Sequence, residues 1–171
     1  MMNHTNKMHQ QLASAVVVAS LLVGRMALAD VVTDWNMKAG EIVVAAKLGT
    51  PPANRVLAIV QTAVYEATNA ITHRYPGSRL PLEAAPGASV EAAIAAANHA
   101  TLAKLVPSQQ TSIDAAYQAA LARVADGPAK TAGIAAGNNA ASAVLAWRAD
   151  DGSATEETYR PHTTPGAYVP T

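Results

Sequence analysis

Beyond residue 30, runs with apolar residues every three or four positions alternate with short breaks rich in Gly, Pro, Asp and Thr. That is the pattern of successive amphipathic helices. The first run carries Trp35, Ala39, Ile42 and Ala46 on one face and is expected to end near Leu48. Thr33 or Asp34 is its expected N-cap, and Gly49 stands where a helix C-terminus calls for a positive φ. Thr50-Pro51-Pro52 offers a capping hydroxyl followed by a first-turn proline. The helix it opens carries Val56, Ile59, Val60, Ala63, Val64, Ala67 and Ile71, and fades at 73–77. Residues 76–88 hold three prolines and two glycines and read as a surface connection.

Ser89 is the expected cap of a third helix reaching about Val106. Pro107-Ser108 opens a fourth, with an apolar stripe of Ile113, Ala116, Tyr117, Ala120, Leu121 and Val124. Asp126-Gly127-Pro128 opens a fifth that ends near Asp150-Asp151-Gly152. No segment alternates with period two for long enough to make a strand. The expected fold class is all-α, with about five helices in a bundle over residues 30–152. Residues 153–171 hold prolines and no helical stripe, and are expected to form an extended tail leading to a further segment.

Composition changes the energetics of this picture. Alanine dominates, Phe is absent, and the rings are two Trp and five Tyr among 171 residues. Alanine favours helix because it loses no side-chain entropy, but it buries little area. A buried Leu or Val contributes about 1.5–3 kcal/mol, and an alanine much less. Such helices must pack closely or lean on a partner surface. The Gly127, Gly133 and Gly137 spacing fits close helix contact rather than a phosphate-cradling loop.

Residues 1–29 have a different character. Lys7 lies in a polar leader, Leu12 to Gly24 is free of charge, and Ala27-Leu28-Ala29 precedes Asp30. This is the three-part pattern of a secretory signal ending in a small-x-small cleavage site. The apolar run is too short for a spanning helix, which needs about 20 residues, so no stable membrane anchor is expected. A periplasmic or secreted location follows. Twelve Lys and Arg balance twelve Asp and Glu; with no basic stripe, nucleic-acid binding is not expected. The absence of cysteine removes disulfides, thiolate catalysis and Cys-ligated zinc.

Candidate chemistry is sparse. Beyond the leader the histidines are His73, His99 and His162, with no zinc-type His-Glu-x-x-His pair. Glu66, Asn69 and His73 share a helix face, for which a solvated polar flank is the default reading. His99, beside Asn98, is assigned a structural role. Arg74 and Arg79 bracket a loop that could hold an anion, with solvation again the default. No nucleophile elbow and no Walker-type loop is present. No catalytic, cofactor-binding or metal residue is assigned.

The ordered series of segments nevertheless carries a resemblance. It runs from Val32-Thr33-Asp34-Trp35-Asn36 and Pro52 to Ile71, through Asn98-His99-Ala100 and Asp126 to Lys130. It closes with Arg148-Ala149-Asp150-Asp151-Gly152 and Thr164 to Thr171. The series resembles the N-terminal half of bacterial vanadium-dependent haloperoxidase-like proteins, of the type 2 phosphatidic acid phosphatase superfamily. In that family cationic side chains and histidines of the C-terminal half hold vanadate or phosphate. Fixed positive donors suit a multiply charged oxyanion. Those motifs do not map here: the only Arg-Pro is Arg160-Pro161, with Ser153 where the Lys would stand, and Pro107-Ser108 continues as Gln109-Gln110. The resemblance thus implies a haloperoxidase or phosphatase parent and a scaffold portion that is not catalytic alone. Vanadate or phosphate is implied only for a complete family member. The expected partners are the missing C-terminal catalytic half or, by self-association, a second copy; the alternative reading is a standalone periplasmic module that binds a partner or ligand.

Overall fold

The computed structural model describes residues 31–77, 80–156, 158, 160 and 164–167. The fold is all-α, with five helices among the described residues. Helix α1 occupies 31–45, α2 Thr50–Thr72, α3 Val90–Leu105, α4 Gln110–Leu121 and α5 Pro128–Trp147. A 3₁₀ turn, Pro107–Gln109, leads into α4.

Helix α3 is the hub: it packs against α2, α4 and α5. Residues 92–98 are buried without interruption, which requires a helix small on every side, and five of these seven are alanines. Ser89 caps it as the sequence predicts. Its Oγ accepts from Ala92 N at 3.2 Å and donates to Glu91 Oε2 at 2.9 Å, while Ser89 N donates to Ala129 O at 2.8 Å.

The α3–α5 crossing depends on two glycines. A Cβ at Gly133 would run into the Ser89 carbonyl, and one at Gly137 into the Ala93 carbonyl and the Ala96 methyl, 2.7 Å away. Close approach lets the alanine faces touch, so many small contacts replace a few large ones. Gly127, grouped with these two by spacing, instead lies before α5 as its N-cap, at φ 151°.

Several boundaries differ from expectation. α1 is already helical at residue 31, so Thr33 and Asp34 lie within it and do not cap it. It ends with Lys47, not Gly49, at positive φ (54°). Lys47 N donates to Val44 O and Leu48 N to Val43 O, the paired bonds of a Schellman closure. Leu48 then packs against the core. That burial offsets the cost, roughly 1–2 kcal/mol, of a non-glycine left-handed residue. Gly49 is extended and serves as N-cap of α2, so Thr50 is helical and its hydroxyl is not the cap. α5 ends at Trp147, slightly before the expected 150–152. The signal segment 1–29 lies outside the described residues, as does most of the end of the tail; no helix occurs among the tail's described residues.

Candidate functional site

α4 carries the expected apolar stripe, yet Ile113 is its only buried residue. The rest of the stripe is half-covered, and part of it borders a groove of about 760 Å³ between α4 and α1. Val31, Trp35 and Met37 line one wall, and Ala116, Ala120 and Val124 the other. Charges stand at its rim: Asp34, Lys38, Glu41, Glu91 and Arg123. They are largely paired, Lys38 with Glu41 at 3.1 Å and Arg123 with Asp34 at 3.5 Å. The groove is therefore an apolar trough between neutralised edges, suited to an apolar side-chain row or ligand.

The other face of α4 holds His99. Its Nε2 lies 2.7 Å from Asp114 Oδ1, and its ring stacks on Tyr117 at 4.3 Å between centroids. Gln110 Nε2 donates to the same carboxylate oxygen at 2.7 Å. The hydrogen bonds from His99, then Gln110, hold the Asp114 carboxyl below its ordinary value. Burial raises the Tyr117 phenol. These contacts join α3 to α4. Neighbouring Asn98 is fully buried; its Nδ2 donates to Ile94 O at 2.9 Å, and its Oδ1 has no hydrogen-bond partner among the described residues.

The Glu66–Asn69–His73 face is not the solvated flank expected. Glu66 and Asn69 are buried, because this side of α2 is covered by its neighbours. Asn69 organises the turn that follows: Oδ1 accepts from Tyr75 N at 2.9 Å and Nδ2 donates to Tyr75 O at 3.2 Å. His73 is exposed and left-handed, with φ 47°. Among the described residues, no three His, Asp or Glu side chains group to hold a metal. Arg74 lies over the Tyr75 ring at 5.8 Å; Arg79 and His162 lie outside the described residues.

A cation cluster that sequence reading missed joins α2 to the end of α5. Arg55 Nε donates to Asp151 Oδ2 at 2.9 Å and its NH2 group to Arg148 O at 3.2 Å. Arg148 reaches the same carboxylate at 2.9 Å. The hydrogen bond from Arg55, with that from Ser153, holds the Asp151 carboxyl far below its ordinary value. Residues 96 apart in sequence meet here, and no local spacing announces such a pair.

No family model, curated protein or solved structure matches the chain. No helix among the described residues is long and apolar enough to cross a membrane.

Proposed function

We propose that this chain is the N-terminal helical scaffold portion of an exported protein similar to vanadium-dependent haloperoxidases and acid phosphatases, acting through packing surfaces rather than catalysis. The observation that carries this reading is the α1–α4 groove, where a helix with an apolar stripe is left half-covered. The disposition of cations supports it. Lys38, Arg55, Arg123, Lys130 and Arg148 each reach a carboxylate of their own chain, whereas an oxyanion site needs such donors to converge on one empty point.

Peroxide-dependent halide oxidation and aryl phosphate hydrolysis, assayed on the purified chain, are expected to stay at background. Turnover abolished by His99→Gln or His73→Gln would overturn the reading. The proposed export is tested by intact mass, which should show loss of residues 1–29; full-length chain recovered from membranes would contradict it.

A standalone periplasmic module binding an apolar ligand is the second reading. It is favoured by the groove volume, which lies within the range of about 300–1,000 Å³ common for small-molecule sites. The coding sequence after Thr171 separates the two. A continuing frame with Lys, Arg-Pro and Pro-Ser-Gly-His segments supports the scaffold reading.

A further inference from the structure

The α1–α4 groove has Val31 and Trp35 on one apolar wall and Ala116, Ala120 and Val124 on the other. Five charged side chains border it, and four of them cancel in pairs, Asp34 with Arg123 and Lys38 with Glu41. The fifth is Glu91. Among the described residues no cation reaches it; its hydrogen bond comes from Ser89 Oγ, which donates to Oε2 at 2.9 Å.

Glu91 is also a fixed charge. It stands in the first turn of α3, where the free N–H groups of a helix start favour the ionised carboxylate. Ser89 sets the direction of its head. The residue is half-buried, and its Oε1 is left for a partner from outside.

These features set the chemistry of an occupant. A body that fills the groove must be apolar to match the walls, and it strips water from Glu91 as it enters. Taking water from a carboxylate is costly unless a cation arrives with it. A neutral occupant leaves the charge bare, and an anionic one meets like charge. An apolar chain ending in one positive group meets both demands.

We propose that the groove is a binding site for a cationic amphiphile, a molecule with an apolar chain and a single amine whose ammonium pairs with Glu91. This rests on the ligand-binding reading of the groove and adds to it the charge of the ligand.

Octylamine, octanol and octanoate share a chain and differ in the charge at its end, which makes them the probes. Near neutral pH, and below the concentrations at which they aggregate, they should bind the purified full chain in that order. Octylamine should bind roughly five- to tenfold tighter than octanol, as suits a partly exposed ion pair. The chain has two tryptophans: Trp35 borders the groove and Trp147 ends α5. In NMR titrations the Trp35 indole N–H signal should therefore move with occupancy while that of Trp147 stays.

Glu91→Gln keeps an oxygen for Ser89. It should bring the three probes to equal affinity with an unchanged helical spectrum. Equal binding of all three to the unmodified chain, or an order of affinity that survives Glu91→Gln, would overturn the proposal while leaving the groove an apolar ligand site. A Trp35 signal that no probe moves would sink the proposal and the ligand-binding reading together.

Discussion

Two residues show how tightly α5 is held, one at its middle and one just past its end. Gly137 faces the Ala93 carbonyl and the Ala96 methyl, so Gly137→Ala must push α5 from α3. We expect a loss of about 1–3 kcal/mol, typical of overpacking, read as a lower melting temperature, although alanine is the better helix former. An unchanged or raised melting temperature would mean that the crossing has slack. Asp151 is the other case. It takes hydrogen bonds from both Arg55 and the Ser153 backbone and is paired with Arg148, so Asp151→Asn should lower the melting temperature and loosen the end of α5. Gly133 and Gly137 were legible as contact glycines from their spacing on one helix. The Arg55–Asp151 pair was not, because a partner brought by tertiary folding leaves no trace in local sequence.

At the scale of elements, legibility followed periodicity. Ser89 was readable as a cap because its hydroxyl acts within its own turn, and the α4 stripe because one side of that helix stays wet. α3 offered no stripe, since a helix buried on all sides has no polar face to set a period. Glu66 and Asn69 were misjudged for the same reason: polarity predicts exposure only until a neighbour covers it. The end of α1 was misplaced because the burial of Leu48 outweighed the backbone preference of Gly49. Unequal burial sets an order of local stability. Amide exchange should be slowest in α3 and fastest, among α2 to α5, in α4, which a single buried residue anchors. Ile113→Ala should cost about 2–5 kcal/mol or release α4 alone, seen as faster exchange there with α3 protected. Equal protection of α3 and α4 would contradict this order.

For the whole molecule, the alanine-rich core predicts a strongly helical circular dichroism spectrum with a broad or low-temperature melt. A sharp transition at high temperature would show that close packing compensates for small side chains. The pH dependence has a definite sign. Asp114, Asp126 and Asp151 are all held below their ordinary value of 3.8. The stability they contribute is present above that value and is lost as pH falls through the depressed folded values. From these groups the melt should be independent of pH near neutrality and should decline below about pH 4; a decline setting in nearer neutrality would require another titrating group. The central claim is that the chain supplies packing surfaces and no oxyanion site, its paired cations being committed to its own carboxylates. Calorimetric titration of the purified chain with orthovanadate tests it most directly. The account predicts no saturable heat. Stoichiometric binding that disappears in Arg55→Gln, Arg148→Gln or His99→Gln would contradict it.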